Sequence, residues 1–317
     1  MSAERILLIG ANGQIGSELA QALTDFHGQQ NILATDIAPG SRLETVPYAQ
    51  LDVLDLLALA KVVTEHRVSQ IYHLAAVLSA AGERDPQRAW HLNMTGLLNV
   101  LETARQFGVQ KVFWPSSIAV FGPGTPRELA PQHCVMDPQT VYGITKLAGE
   151  RWCEYYHRQH GVDVRSLRFP GLISHKTPPG GGTTDYAVEI FHAAKAHEEY
   201  RCFVAPETRL PMMYMPDALR ATMDLMAAPA ASIRIRSSYN VSGMSFTARE
   251  LAETVRHCVP DFRVSYKPDY RQAIADSWPA SIDDSAARLD WGWKPVFDLE
   301  SIAADMLANM RPAQVAA

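Results

Sequence analysis

Cysteine is scarce in this sequence: the 317 residues contain four, and these lie far apart. No C-x-x-C pair occurs, which argues against a zinc site or a redox dithiol and favours reduced thiols. No apolar run reaches the roughly 18 residues that a membrane-spanning helix needs. The first residues also lack the basic-then-apolar layout of a secretory signal. We therefore expect a cytoplasmic protein with no membrane partner.

Clustered positive charge is lacking as well. The 29 Lys and Arg residues are scattered among 34 Asp and Glu residues, and the net charge is −5. Because nucleic acids and charged membrane surfaces attract clusters of positive charge, we expect no nucleic-acid partner. The histidines show no metal-ligand pattern, since the two in "HAAKAH" (192–197) are five apart and leave one helical face. No metal is expected.

Hydrophobic residues make up 47% of the chain, which is enough for a large core. Short apolar runs predict strands at 5–10, 31–36, 69–76, 111–122 and 162–173. Apolar residues at helical spacing predict helices at 14–26, 55–68, 93–109 and 142–160. Since the two kinds of element alternate, the sequence predicts an α/β fold, a doubly wound parallel sheet with helices on both faces.

The pattern changes after about residue 170. Residues 174–186, "SHKTPPGGGTTDY", are rich in Pro, Gly and Thr, which is typical of a surface connector or of a mobile lid. The C-terminal third mixes helices with short strands and indicates a smaller mixed α/β lobe. We predict a nucleotide-binding domain over 1–173, completed by segments near 210–242. A substrate lobe would then comprise 174–209 and 243–317.

A glycine-rich turn joins the first predicted strand to the first predicted helix. Gly10, Gly13 and Gly16 give the spacing G-x-x-G-x-x-G. Glycine admits unusual backbone angles and lets a pyrophosphate approach the main chain at the helix N-terminus. Asp36 lies twenty positions beyond Gly16, where a carboxylate accepts hydrogen bonds from ribose hydroxyls. This arrangement predicts a Rossmann-type domain that binds NAD in preference to NADP, because Asp36 would repel a 2′-phosphate.

Asp52 is a second acidic candidate. It follows another short segment and precedes a predicted helix that begins near Asp55. It could contact the adenine amino group or cap that helix, and the sequence leaves both open.

Tyr142 and Lys146 are four residues apart and therefore share a helix face. Alcohol oxidation removes a hydride and a proton, so a base must stand near the hydroxyl. Bringing a tyrosine pKa from near 10 to about 7 takes about 4 kcal/mol. A cation about 5 Å away supplies about 3 kcal/mol at an effective dielectric near 20. The lysine and an oxidised nicotinamide together could meet that requirement. A surface Tyr–Lys pair is the alternative.

Six motifs occur in an order that resembles the extended short-chain dehydrogenase/reductase family. They are the glycine turn, "HLAA" (73–76), "LNMTG" (92–96), "SSIAVFG" (116–122), "YGITK" (142–146) and "RFPGLI" (168–173). The resemblance implies that Tyr142 is the catalytic base and that Lys146 orients the nicotinamide ribose and lowers the tyrosine pKa. It implies that Ser117 holds the substrate hydroxyl, with Ser116 as the alternative.

The same resemblance implies a set of cofactor contacts. Asn93 would support the site through backbone and water contacts, although it could instead cap a helix. Pro170 would mark where the backbone meets the nicotinamide amide. The predicted cofactor-binding residues are Gly10, Asn12, Gly13, Gln14, Ile15, Gly16, Asp36, Asp52, Val53, Leu74, Ala75, Ala76, Asn93, Tyr142, Lys146 and Pro170. The family also suggests a homodimer formed through the helix that bears Tyr142 and its neighbour.

Three segments narrow the resemblance within the family: 179–191, 208–221 and 274–295. They are similar to the short-chain-type L-threonine 3-dehydrogenases, which implies NAD-dependent oxidation of the threonine β-hydroxyl. The predicted substrate-binding residues are Ser79, Ser117, Tyr142, Thr183, Thr184 and Asp185. For Thr183 and Asp185 a structural turn is the alternative. An NAD-dependent nucleotide-sugar epimerase or dehydratase is the alternative function, and a nucleotide-sensing regulator is disfavoured by the Tyr–Lys pair.

Overall fold

The computed structural model describes residues 4–41, 43, 45–177 and 180–310, with the side chain of Ala80 left aside. The strands are β1 Ile6–Ile9, β2 Ile32–Asp36, β3 Tyr48–Gln50, β4 Gln70–His73, β5 Lys111–Ser117, β6 Val164–Phe169, β7 Gly171–Ile173, β8 Tyr200–Cys202, β9 Arg209–Tyr214, β10 Tyr239–Asn240, β11 Met244–Thr247 and β12 Val264–Tyr266. The α-helices are α1 Gln14–His27, α2 Leu56–Glu65, α3 Ser79–Arg84, α4 Pro86–Trp90, α5 Gly96–Phe107, α6 Val141–His160, α7 Tyr186–Lys195, α8 Met215–Ala227, α9 Ala248–Cys258, α10 Arg271–Asp276, α11 Ser285–Trp291 and α12 Leu299–Asn309.

A parallel sheet of seven strands forms the centre of the described chain. Its order is β10-β6-β5-β4-β1-β2-β3, and every neighbouring pair is parallel. The run from β3 to β6 therefore has the strand order 3-2-1-4-5-6 of a dinucleotide-binding fold. The predicted α/β doubly wound sheet is confirmed.

Both faces of this sheet are covered by core packing. Successive strand residues point to opposite sides, so each strand contributes to both cores. On β1, Ile6 and Leu8 pack with Leu19 of α1 in one core. Leu7 and Ile9 pack in a second core, which helices α2, α5 and α6 share. A strand buried on both faces has to be continuously apolar, which explains why "ILLI" does not alternate with polar residues.

Three details differ from the sequence prediction. The strand predicted over 162–173 is two strands, β6 and β7, which belong to different sheets and are separated by Pro170. Strand β3 extends the sheet beyond β2, and its three residues form no apolar run that predicts a strand. The helix predicted from residue 93 begins earlier, since α4 continues through a π-helical turn at His91–Thr95 into α5. Asn93 therefore lies inside a continuous helical segment and not at the start of a helix.

A third core lies under α7, α9 and α12 and includes residues of β9 and β11. Two smaller sheets belong to this part of the chain, with orders β11-β9-β7 and β12-β8. Strand β10 returns to the large sheet beside β6. The exact division at 173/174 stays a prediction. Within the described residues, no helix is both long and apolar enough to cross a membrane.

Candidate active site

A cleft with a volume of about 410 Å³ opens at the carboxyl ends of β1, β4, β5 and β6. This is where ligands bind in open parallel sheets. The sequence-predicted residues that line it are Gly10, Asn12, Gly13, Gln14, Ile15, Gly16, Leu74, Ala76, Ser79, Ser117, Tyr142, Lys146, Pro170, Thr183, Thr184 and Asp185. Asp36, Asp52, Val53, Ala75 and Asn93 are outside that lining.

The glycine turn between β1 and α1 is required partly by the chain's own packing. Gly10 has φ +87°, and a Cβ on it would lie 2.6 Å from the Ala75 nitrogen. A Cβ on Gly16 would lie 2.1 Å from the Gly10 oxygen. Gly13, the N-cap of α1, is less confined, since its nearest such atom is 3.3 Å away. Its open side faces the cleft where the N–H groups of α1 are available, which fits a pyrophosphate.

Asp36 ends β2 beside this turn. Its Oδ2 accepts a hydrogen bond from the Asn12 nitrogen at 3.0 Å, and its Oδ1 accepts one from the Ala38 nitrogen at 3.2 Å. A carboxylate offers about four acceptor positions, so Asp36 retains capacity for ribose hydroxyls. Its place fits the predicted preference for NAD.

Asp52 does not cap α2. Its Oδ1 accepts a hydrogen bond from the Leu54 nitrogen at 2.9 Å, while the N-cap is Asp55, whose side chain accepts one from the Ala58 nitrogen. The capping alternative for Asp52 is therefore wrong, because its carboxylate is used in the turn just before the helix. The adenine contact of Asp52 and the assignment of Val53 as a cofactor-binding residue stay predictions.

Ser117 and Tyr142 meet at the centre of the cleft. The side chain of Thr140 caps α6 by accepting a hydrogen bond from the Gly143 nitrogen, which fixes the helix start at Val141 and places Tyr142 in the first turn. Ser117 ends β5, and its side chain lies close enough to the Tyr142 phenol to affect the pKa of that group. Ser116 instead donates to Glu150 at 2.6 Å and is buried. The geometry therefore favours Ser117 over Ser116 as the serine that faces a substrate.

Lys146 lies one turn after Tyr142 and is buried. Its Nζ donates to the Pro115 oxygen at 2.5 Å and lies 4.4 Å from the centre of the Trp114 ring. Burial lowers the pKa of Lys146 to about 7, although nearby Cys153 and Glu150 oppose that shift.

The pKa of Tyr142 is raised to about 12 by burial, and the nearby Ser117 side chain opposes the rise. The expected lowering of the tyrosine pKa is thus not achieved by these side chains alone, because burial outweighs them. An oxidised nicotinamide beside the phenol would add a positive charge that lowers the pKa of Tyr142.

Asn93 supports the cleft from behind. Its side chain exchanges hydrogen bonds with both main-chain groups of Val77 and donates to Thr145 Oγ1 at 3.1 Å. It does not cap a helix, because it lies within the π-helical turn. It links α6 to the segment after β4, which includes the predicted residues Leu74, Ala75 and Ala76.

The segment from β7 to α7 closes the other side of the cleft. Thr183 is buried, and the Thr184 side chain packs against Gly171, next to Pro170. Asp185 Oδ2 accepts hydrogen bonds from the Gly181 and Gly182 nitrogens at 2.6 and 2.7 Å. The structural-turn alternative therefore holds for Asp185, which also lines the cleft.

Burial raises the pKa of Asp185, while the glycine N–H groups oppose the rise. Ser79 lines the cleft from the start of α3. The sequence-predicted substrate residues thus share one cleft. Residues 178 and 179 lie outside the described residues, and closure of this segment stays a prediction.

The model of the NAD dependent epimerase/dehydratase family matches residues 6–242, more than half of the chain. The chain belongs to this family. Family membership makes NAD the cofactor of the cleft, in agreement with the glycine turn and Asp36.

Several similar proteins are named for a specific activity within the NAD dependent epimerase/dehydratase family. The mitochondrial L-threonine 3-dehydrogenase of Bos taurus is 46% identical and aligns over 96% of this chain and 82% of its own length. The holo structure of a GalE-like L-threonine dehydrogenase from Cupriavidus necator is 60% identical, with a TM-score of 0.95 over 96% of this chain and 99% of that one. A monomeric L-threonine 3-dehydrogenase from a metagenome is 49% identical, with a TM-score of 0.92 over 96% and 98%.

Sequence reasoning missed several residues that lie in or behind the cleft. Trp278 and Leu78 line the cleft, but neither has a spacing that distinguishes it from a core residue. Arg168 and Glu150 form a buried ion pair behind the cleft. A signal for that pair exists, since a charged residue inside an apolar strand such as β6 needs a buried partner.

Proposed function

We propose that the chain oxidises the 3-hydroxyl of L-threonine to the ketone of 2-amino-3-oxobutyrate, with NAD as the hydride acceptor. The observation that carries this proposal is the meeting of Ser117, Tyr142 and Lys146 in the cleft that the glycine turn also lines. The names of the relatives supply the substrate.

The position of residues in the cleft and the family resemblance together support a set of residues that would hold NAD. The N-terminus of α1 and the open side of Gly13 would hold the pyrophosphate, and Asp36 would accept from the adenosine ribose. Lys146 would hold the nicotinamide ribose, and Pro170 would contact the carboxamide. When bound, NAD supplies an acceptor for the hydride that leaves C3 of the substrate.

The proton of the substrate hydroxyl goes to Tyr142. Ser117 donates a hydrogen bond to that hydroxyl oxygen and holds it against the phenol. The phenolate oxygen of Tyr142 takes the hydroxyl proton as the C–O bond becomes a carbonyl. Lys146 stabilises the phenolate by its positive charge, and burial strengthens that attraction by keeping water away.

The residues from Thr183 to Asp185 would bind the amino-acid end of the substrate. A zwitterion needs a carboxylate near its ammonium group and hydroxyls or N–H groups near its carboxylate. Asp185 supplies the first, and Thr183, Thr184 and Ser79 supply the second. Each of these residues lines the cleft, which supports the assignment.

The test is NADH formation by the purified chain with NAD and L-threonine, L-serine or a UDP-sugar. We expect NADH with L-threonine and none with the UDP-sugar. Tyr142→Phe should lower turnover by about two to four orders of magnitude, while NAD still binds. Turnover of a UDP-sugar without NADH from threonine would overturn the proposal in favour of an epimerase or dehydratase. Full activity of Tyr142→Phe would refute only the assignment of Tyr142 as the base.

We also propose that the chain forms a homodimer through α5 and α6 and that it acts in the cytoplasm in threonine breakdown. An exposed apolar face on α6 supports the first proposal: Ile144, Trp152 and Tyr155 are between 38% and 48% exposed. The cysteine pattern supports the second, since Cys134, Cys153, Cys202 and Cys258 are all free thiols.

A further inference from the structure

The buried ion pair behind the cleft joins α6, the helix that carries Tyr142, to β5 and β6, two of the strands that end at the cleft. Arg168 donates from Nε to Glu150 Oε1 and from Nη2 to Glu150 Oε2, each at 2.8 Å. The two side chains are 1% and 0% exposed. This is a two-point contact of planar groups, which fixes orientation as well as distance.

Glu150 also binds the neighbouring strand. Its Oε1 accepts the Ser116 hydrogen bond at 2.6 Å. Ser116 and Arg168 are paired residues in the register of β5 and β6. One carboxylate therefore holds two adjacent strands at the level where they leave the sheet.

The residues that follow these anchors line the cleft. Ser117 comes directly after Ser116, and Pro170 comes two residues after Arg168. Glu150 itself lies four residues after Lys146, on the same side of α6. The network thus connects the predicted base helix, the hydroxyl-binding serine and the predicted nicotinamide contact.

The third guanidinium nitrogen of Arg168, Nη1, extends the network. Nη1 donates to the Gln132 oxygen and to Asn240 Oδ1, each at 3.0 Å. Asn240 belongs to β10, and its Nδ2 donates to the Asp283 oxygen at 3.1 Å. The guanidinium is therefore held from several sides and cannot move without breaking buried hydrogen bonds.

A purely stabilising role does not account for this arrangement. A buried ion pair contributes little more stability than apolar side chains of the same volume, because both charges lose their hydration. What the pair adds is a defined relation between α6 and the two strand ends.

We propose that Glu150 and Arg168 are positioning residues that set the distance between Tyr142 and Ser117 and hold Pro170 in place for hydride transfer. The proposal rests on the proposed alcohol oxidation. It assigns no new contact with substrate, because both side chains act through Ser116, β6 and α6.

The test compares Arg168→Lys with Arg165→Lys. Lysine retains the charge but cannot make the two-point contact. Arg165 is an equally buried arginine three residues earlier on the same strand, where it pairs with Asp163 and caps carbonyls at the end of α8. Arg165→Lys is therefore a matched control, because it also removes the two-point contact of a buried guanidinium but does so away from the cleft.

We expect Arg168→Lys to lower kcat about 10- to 100-fold, while the Kd for NAD and the KM for the substrate change by less than about threefold. The deuterium isotope effect on kcat, measured with substrate labelled at the oxidised carbon, should rise because hydride transfer becomes slower. Arg165→Lys should leave kcat within about twofold of the wild type, even where it lowers the melting temperature as much.

Glu150→Gln should reproduce the Arg168→Lys result, with Glu154→Gln one turn later as its control. If the arginine variant does not fold, Ser116→Ala removes a single hydrogen bond and should still lower kcat by about threefold or more. Equal kcat losses in Arg168→Lys and Arg165→Lys, or an unchanged isotope effect, would overturn the proposal.

The wild type separates this proposal from the proposed function. Absence of threonine oxidation by the wild type refutes the function. The ratios of variant to wild type then test positioning on whichever alcohol the wild type oxidises.

Discussion

Asp185 holds a turn and is proposed to bind the substrate, and a single substitution can separate these two roles. One carboxylate oxygen, Oδ2, accepts from both the Gly181 and Gly182 nitrogens. The carbonyl oxygen of asparagine can accept the same two hydrogen bonds, so Asp185→Asn removes the charge and retains the turn. We expect the KM for threonine to rise about tenfold or more, because the ammonium group loses a charged partner. Affinity for NAD should stay unchanged.

Steady-state kinetics with each substrate varied, together with direct NAD titration, checks this expectation. Asp185→Ala is the control that loses the turn as well as the charge. It should affect both ligands, because Gly181 and Gly182 line the cleft. If Asp185→Asn changes threonine and NAD binding equally, the carboxylate is a structural group and the substrate contact is wrong.

The elements follow from the sequence more closely than the contacts between them. The bounds of α6 agree with the predicted helix to one residue, because Gly161 with φ +69° ends it as a glycine C-cap does. The motif resemblance favoured Ser117 but left Ser116 open, since neighbouring strand residues face opposite ways and the sequence does not say which way each points. The partners of Asp185 do not follow from the sequence either, because they are main-chain N–H groups, which carry no sequence signal.

Helix α6 approaches the turn after β5 so closely that one position tolerates no side chain. A Cβ on Gly143 would lie 2.1 Å from the Ala119 oxygen, a main-chain atom. Gly143→Ala should therefore lower the free energy of unfolding by about 2 kcal/mol or more. It should also lower kcat, because the turn that follows Ser117 has to move away from Tyr142.

Urea unfolding and kinetics of the same protein preparation check both effects. Gly96→Ala is the control in α5, where the nearest atom to a Cβ is the Val53 side chain at 3.0 Å. There the helix-forming tendency of alanine offsets the contact, and we expect a change within about 1 kcal/mol. If Gly143→Ala is as mild as Gly96→Ala, the close approach of α6 to the turn is wrong.

At the scale of the whole molecule, the two sides of α6 have different surroundings. One side carries Lys146 and Glu150 and is buried. The other exposes Ile144, Trp152 and Tyr155, and the Trp152 and Tyr155 rings are in edge contact with centroids 5.5 Å apart. This apolar aromatic face is the surface through which we propose that the dimer forms. In a symmetric dimer, the residues of this face would be buried in both protomers.

Trp152→Glu should convert a wild-type dimer to a monomer in sedimentation velocity at the same micromolar concentration. Loss of one buried aromatic side chain costs about 2 kcal/mol per protomer, hence about 4 kcal/mol per dimer, which weakens the dimer about a thousandfold. Leu57→Glu is the control, because Leu57 is 82% exposed on α2. A monomeric wild type would contradict the proposed dimer. The relative from a metagenome is described as monomeric. A dimer that survives Trp152→Glu would instead place the interface on another face of the molecule.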